Sequence, residues 1–430
     1  MYKNGLSYVG SALMVLITHC AMLFVVFING KYDDVSKVLV LAGAVIGLDM
    51  LYFIVMLFYK QMTYSIDFML LLVLGMSIIF QSCFGGVELE KKQVMWSVIC
   101  LFMCRMGYLL CRNHKWIAEK KKEIFAVNIL IILSILTLTG GRSMWIQIGS
   151  FTVQPSEFLK SAFILACATS IVEQQRKTKI LCFNTVKPNI ALFALIGIIC
   201  GLQWWCKDLG TLPTFVGIYG CGLIFRMCYP KAKFSKSRVI GLIMIGVTLA
   251  VVAFTFAPSY VQDRLHVNLW DKVGGEFVDA KGWQQRQAII AMAGGGWFGK
   301  GPGHGVLHKV PAYTTDIVFQ SISEEWGLFF ALMIIVVILI MLAMPLINPC
   351  RSYFHATLTT GVCTAFIIQI GLNVFGSCGV IPFTGVTVPF ISLGGSSMVT
   401  SGFMMGMMIA GQSPSFKPVP KKTKKKAVTA

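Results

Sequence analysis

The chain has 430 residues, 56% of them hydrophobic and only 13% charged, with a mean hydropathy of +0.74; a soluble domain is about 45–50% apolar and about 25% charged. That excludes an ordinary soluble enzyme, and at about 20 apolar residues per spanning helix the roughly 240 hydrophobic residues suffice for about a dozen spans. The net charge of +19 sits in short clusters between apolar runs rather than on one face, which reads as membrane topology and argues against nucleic acid as a partner.

In chain order, apolar runs predict helices at about 5–29, 38–59, 65–84, 93–110, 124–140, 155–173, 189–205, 212–228, 239–258, 317–347, 354–377 and 385–411. The first is as long as a full span and lacks a small-residue cleavage site, so it is read as a helix rather than a cleaved signal. Alternate connections carry the basic residues: Arg112 to Lys122, Arg176 to Lys187, Arg226 to Arg238, Arg351, and the tail from Lys421 to Lys426. The connections between them, 141–154, 206–211 and 378–384, are short and poor in Lys and Arg. The positive-inside rule then puts both termini in the cytoplasm and requires an even number of spans. The expected fold class is an all-α polytopic membrane protein of about twelve transmembrane helices. Cysteines such as Cys20, Cys100, Cys104, Cys167, Cys200, Cys221 and Cys363 fall inside apolar runs without paired spacing, so buried, unpaired thiols are expected and no metal site is. The tail 413–430 reads as a disordered basic segment on anionic lipid.

One connection, 259–316, is far longer than the rest, and the same count places it outside the membrane. It holds Asp263, Arg264, Trp270, Asp271, Glu276, Asp279, the run Gly282 to Gln287 with Gln284 and Arg286, and the stretch GGGWFGKGPGHG with Lys300. Glycines at that density imply tight turns or close backbone approach. The chain has only 18 acidic residues, and one at membrane depth persists only when paired or used. Glu157 and Lys160, three apart at the start of the sixth span, share a helical face. Asp208 follows Trp204, Trp205 and Lys207 at a membrane boundary. Asp316, Glu324 and Glu325 open the tenth span, with Asp316 and Glu324 about two turns apart and so expected to face one cavity. Asp49 stands alone in the second span without a functional reading. No H-E-x-x-H, Walker loop or G-x-S-x-G occurs.

Five segments resemble, in order, the SEDS family (FtsW/RodA/SpoVE type) of integral membrane glycosyltransferases that polymerise peptidoglycan. They are GGRSMWIQIGSFTVQPSEFLK from Gly140, KDLGT from Lys207, GWQQRQAIIAMAGGGWFGKGPGHG from Gly282, VPAYTTDIVFQSISEEWGL from Val310, and GVIPFTGVTVPFISLGGSSMVTSG from Gly379. The resemblance implies a ten-helix core over 61–412, with residues 1–60 forming two additional N-terminal helices. The family's H-T-D-F is here Thr314-Thr315-Asp316-Ile317, its Tyr in Y-G-G-S-S is Leu393, and its D-P-x-G-x-G-Y-Q is here VDAKGWQ, two residues shorter.

The resemblance implies a plasma-membrane enzyme that joins lipid II disaccharides, with an undecaprenyl-linked glycan as donor and a class B penicillin-binding transpeptidase as partner. It implies no organic cofactor and leaves a divalent cation open. A hydroxyl acceptor needs a base and a departing pyrophosphate needs donors. The base is assigned to Asp279, with Asp271 and then Glu276 as alternates. Arg264, Arg286, Lys300 and Lys160 are candidates toward the pyrophosphate. Glu157, Asp208, Gln284, Gln287, Asp316, Glu324 and Glu325, with Pro389, Ser392, Gly394, Gly395, Ser396 and Ser397 of the last motif, complete the expected substrate site. A lipid II flippase, an ion-coupled transporter and a non-catalytic scaffold are the rival readings.

Overall fold

The computed structural model describes residues 5–30, 35–58, 64–140, 145–148, 151–172, 177–180, 183–208, 210–228, 272–273, 276–277, 282–347, 350 and 352–412. Among them, six helices are long and apolar enough to cross a membrane. The helices are α1 (Gly5–Asn29), α2 (Val35–Leu57), α3 (Ser65–Arg112), α4 (His114–Glu119), α5 (Lys121–Thr139), α6 (Pro155–Val172), α7 (Lys187–Trp205), α8 (Leu212–Cys228), α9 (Trp283–Gly295), α10 (Val318–Trp326), α11 (Leu328–Ile347), α12 (Tyr353–Ser377) and α13 (Gly395–Gln412). Two-stranded antiparallel hairpins decorate the connections at Ile146–Val153, Lys177–Val186 and Lys272–Phe277. The expected span at 239–258 lies outside the described residues.

The 48-residue α3 is two antiparallel limbs, because Gly85 and Gly86 leave helical geometry (Gly86 φ 69°) and the chain folds back on itself. Gln93 Nε2 donates to Ser77 Oγ at 2.6 Å and Ser82 Oγ to Glu90 Oε2 at 3.1 Å. In a straight helix residues 77 and 93 would stand roughly 24 Å apart. Arg105 and Asp67 also pair across the limbs, sharing Tyr52 of α2. The expected spans 65–84 and 93–110 are these limbs.

Helix α13 packs against α3, α6, α11 and α12 and is buried over most of its length. It crosses the second limb of α3 so closely that a Cβ at Gly402 or Gly406 would lie 2.2 Å from Cys100 O or 2.0 Å from Cys104 O. Small residues four apart permit such a crossing. By contrast α1, α2 and α11 expose large apolar side chains such as Phe24, Leu39 and Phe329, the surface expected against lipid tails. Cys100, Cys104, Cys167 and Cys363 are buried, whereas Cys20 is exposed and Cys200 and Cys221 are half-buried, so burial holds for only part of the expected set.

Two expected spans are broken. The run 317–347 divides at Gly327 (φ 93°), where a Cβ would meet the backbone of Trp297 and Phe298; the passing glycine-rich loop forces the break. The run 385–411 is helical only from Gly395, and 382–388 has no regular structure before a turn at 389–391. Pro382, Pro389 and the Gly394-Gly395 pair account for that interruption.

Candidate active site

A cavity of about 550 Å³ opens among the loops that the charge pattern places outside. The Ile146–Val153 hairpin and the start of α6 supply Trp145, Thr152, Gln154 and Glu157; the α7–α8 turn supplies Lys207, Asp208 and Thr211; the turn before α10 supplies Thr315 and Asp316. The broken segment supplies Thr384 to Thr387 and Leu393 to Ser397. The described non-glycine residues with positive φ, Lys207 (58°), Ala312 (59°) and Phe390 (67°), all lie in these loops. Phe390 is held there by burial against Phe366, with ring centroids 5.3 Å apart. Strained backbone of this kind persists where the surroundings over-determine it and clusters at functional sites.

The carboxylates of the cavity differ in how they are satisfied. Glu157 is 4% exposed and Lys160 1%; Lys160 Nζ lies 2.7 Å from Glu157 Oε2 and donates to Gln369 Oε1 at 3.0 Å. Lys160 therefore backs the cavity without lining it. Asp208 Oδ2 accepts from Thr211 Oγ1 at 3.0 Å and Gln154 Nε2 at 3.3 Å. Burial raises its pKa, opposed by the Thr211 hydrogen bonds. Asp316 has less support: burial pushes its carboxyl up to about 6, with only the Thr315 hydroxyl acting against that rise. Gly385 (φ 68°) passes beside it, and a Cβ there would stand 3.2 Å from Asp316 Oδ2. Gly395 is dictated by Trp96, whose ring a Cβ would meet at 2.5 Å.

Of the remaining motif residues, Pro389 and Ser392 brace the cavity from behind and Ser397 lines it. Ser392 Oγ donates to Thr315 O at 2.7 Å and accepts from Val388 N at 2.9 Å, Pro389 starts the turn between them, and Ser397 Oγ is 3.0 Å from Thr387 Oγ1. Gln284 Nε2 donates to Pro311 O at 2.8 Å, Arg286 is buried and Gln287 half-buried in α9, and none of the three lines the cavity.

Glu324 and Glu325 do not share the cavity with Asp316. Glu324 Oε2 accepts from Val306 N (3.0 Å) and Leu307 N (3.1 Å) while its Oε1 pairs with Lys300 Nζ at 2.6 Å, and Glu325 Oε2 accepts from Gly303 N at 2.9 Å. The glycine-rich loop is folded onto α10: a Cβ at Gly299 would lie 2.3 Å from Glu325 O and one at Gly295 2.5 Å from Ser323 O. Lys300 is thus tied up in this loop, beside a second cavity of about 660 Å³ against α1. Arg264, Asp271 and Asp279 lie outside the described residues, and of Glu276 only its pairing with Val273 is described. Among the described residues no group of three His, Cys, Asp or Glu side chains is set to hold a metal ion.

The sequence reading passed over Gln154, Thr211, Thr315, Thr384, Thr387 and Trp145 as individual site residues, although each falls in or beside one of the five motifs. It also missed His19. His19 Nδ1 lies 2.7 Å from Asp49 Oδ2 and Nε2 3.1 Å from Leu72 O, so the lone carboxylate of α2 has its partner in α1. One histidine and one aspartate in neighbouring apolar helices were the available signal.

The family model of the cell cycle proteins FtsW, RodA and SpoVE matches residues 54–413. The chain belongs to that family. The probable peptidoglycan glycosyltransferase FtsW of Bacillus subtilis is 28% identical over 312 residues, 69% of this chain and 74% of that one. The corresponding FtsW of Caulobacter vibrioides is 31% identical over 294 residues, 66% and 69% of the two chains. A solved peptidoglycan synthase complex contains a chain with a TM-score of 0.60 at 17% identity, over 81% of this chain and 96% of that chain. The rod shape determining protein RodA of Thermus thermophilus gives 0.55 at 16%, over 82% and 97%. These likenesses show a shared fold, that of a multi-pass bacterial membrane protein. The match begins inside α2, leaving α1 and most of α2 outside the FtsW/RodA/SpoVE core.

Proposed function

We propose that this peptidoglycan glycosyltransferase joins lipid II disaccharides into glycan strands at the outer face of the membrane, with the 550 Å³ cavity as the place where the sugar and pyrophosphate are held. One observation carries the reading: four of the five motif segments, distant in sequence, meet at one polar cavity containing Glu157, Asp208 and Asp316.

In this reading the 4-hydroxyl of the acceptor sugar attacks the anomeric carbon of the growing strand. The new C–O bond forms as the bond to undecaprenyl pyrophosphate breaks. A carboxylate of the 259–316 loop takes the hydroxyl proton; Asp279 is the assigned base, with Asp271 and Glu276 as alternates. Asp316, Asp208 and the hydroxyls of Thr315, Ser396 and Ser397 orient the sugar by hydrogen bonds. About twelve spans with both termini in the cytoplasm, and a class B penicillin-binding transpeptidase as partner, belong to the same proposal.

The test is to incubate the purified protein with lipid II, with and without such a partner, and resolve the products by gel. A polymer ladder is expected, and Asp279→Asn lowers its rate by about 10²–10⁴-fold while leaving the protein folded. Transport of lipid II without polymer overturns the reading in favour of a flippase. If Asp279→Asn polymerises normally, the base passes to whichever of Asp271→Asn or Glu276→Gln is inactive.

A further inference from the structure

Backbone that leaves the helix leaves carbonyls outside any helical ladder, and each buried one needs a donor from elsewhere. The two site-forming segments, 312–317 and 382–394, present this problem, and two buried amides answer it. Gln81, on the first limb of α3, donates through Nε2 to Thr314 O and to Ile391 O, both at 3.2 Å. Asn373, on α12 at the opposite side, donates through Nδ2 to Asp316 O at 2.8 Å and to Val386 O at 2.6 Å. Each amide therefore joins one carbonyl of each segment. Ser77, one turn before Gln81, adds a bond to Ile391 O at 2.9 Å and is itself held by Gln93. The segments also touch directly, Leu393 N donating to Thr314 O at 2.9 Å.

Neither Gln81 nor Asn373 lines the cavity, and both are buried. We propose that Gln81 and Asn373 are positioning residues, a pair of amide clasps that lock the turn bearing Asp316 to the turn bearing Ser392 to Ser397 and so fix the shape of the substrate cavity. The bonded carbonyls are those of the cavity-lining residues Asp316 and Val386 and of Thr314 and Ile391, one or two residues from lining side chains, so losing a clasp shifts the Asp316 carboxylate relative to Ser396 and Ser397 without removing any side chain that lines the cavity. The polar residue on α3 serves a site built from loops more than two hundred residues away. The proposal rests on the reading of this cavity as the substrate site.

The test uses the full chain in detergent with Gln81→Met, Asn373→Leu and the pair. Hydrogen exchange of peptides covering 312–317 and 386–393 is followed beside the kinetics of lipid II polymerisation per folded molecule. Each single variant is expected to speed exchange in both segments and to lower kcat/KM by about 10–100-fold, mostly in kcat, the signature of a misaligned site. The double variant should lose no more than about threefold beyond the worse single one, because both clasps hold the same pair of segments. Ser77→Ala, which removes one bond and leaves Gln81 in place, gives the same pattern at smaller size and covers the case in which a stronger variant fails to fold. Unchanged exchange, or activity loss that tracks the folded fraction alone, overturns the proposal. If the wild-type protein makes no polymer at all, the functional reading falls, and exchange in the clasp variants still decides whether the two segments are locked as described.

Discussion

Two acidic clusters lie close in sequence and are treated oppositely by the fold. Glu324, at the end of α10, is fully buried, accepts two backbone N–H groups and pairs with Lys300. Asp316, eight residues earlier, is half-buried at the cavity with one hydroxyl against the cost of its burial. A carboxylate whose lone pairs are consumed by its own chain has no capacity left for a ligand, whereas one that is desolvated and under-satisfied gains from an incoming donor. The first kind organises a loop and the second keeps capacity for an incoming donor. Sequence spacing alone grouped the two, because both sit near the start of one apolar run.

The largest effect that tests this contrast is on stability. Glu324→Gln replaces an acceptor-only group with one that presents an N–H toward backbone donors, and it leaves Lys300 without its partner. A cost of about 2–4 kcal/mol is expected, read as a lower melting temperature and faster proteolysis of the 296–309 loop. Activity per folded molecule should fall far less than for Asp316→Asn. A melting curve like that of the wild type would break the comparison.

Asp316→Asn should do the reverse. The protein stays folded and polymerisation falls about 10–100-fold, the range for a displaced substrate contact. The carboxyl titrates at about 6 against an ordinary 3.8, so activity that depends on its ionised form rises through pH 6, and this inflection disappears in the variant. The stability sign follows from the same shift. A raised carboxyl pKa means the folded state favours the protonated form, so the wild type is relatively most stable below about pH 4 and loses that advantage as pH rises through 6. The asparagine variant should therefore melt higher than wild type at pH 7.5 and equally at pH 4, by about 1–2 kcal/mol once partial solvent screening is allowed for. A lower melting point at pH 7.5 would place Asp316 with the structural acids.

Glu157 and Lys160 stand between these extremes, a buried pair with one carboxylate edge on the cavity. Glu157→Gln should reduce polymerisation by about tenfold, and Glu157→Gln/Lys160→Met should lose no more, because the second change removes a charge the first had already stranded. Additive losses would give the two side chains independent roles.

Much of the fold was legible in the sequence, this contrast was not, and the limits are physical. Hydropathy marks how long a segment stays apolar, so α1, α2, α5, α6 and α7 fall within a few residues of the expected runs. It does not mark where the backbone leaves the helix, because Gly327 and the segment 382–394 sit inside runs whose composition is still apolar. The motifs identified which short segments matter, and the fold brings four of them to one cavity. They could not separate the glutamates that fold the glycine-rich loop from the aspartates that face the cavity, since that depends on backbone N–H groups whose direction no side-chain pattern records. Gln81 and Asn373 were invisible for a related reason: each is one of several polar residues in its helix, and what sets it apart is its partners, carbonyls hundreds or tens of residues away.

The smallest expected effect concerns α1 and the part of α2 outside the family match. His19 fastens this hairpin to the core: held within the hairpin by Asp49, it lies against Gly75, where a Cβ would come within 2.2 Å of the ring, and reaches Leu72 O. Polar pairs between membrane helices contribute on average about 0.6 and at most about 1.7 kcal/mol, so His19→Leu should lower the melting temperature slightly. His19→Leu/Asp49→Leu should recover much of that loss, since it no longer strands a buried carboxylate. Polymerisation should change less than twofold in both, because none of these residues approaches the cavity. The first limb of α3 carries both the His19 contact at Leu72 and, about two turns on, Ser77 and Gln81. An activity loss in the double variant larger than its change in melting temperature would therefore mean that the added hairpin acts on the cavity through that limb, and the division between a docked accessory hairpin and an autonomous catalytic core would have to be given up.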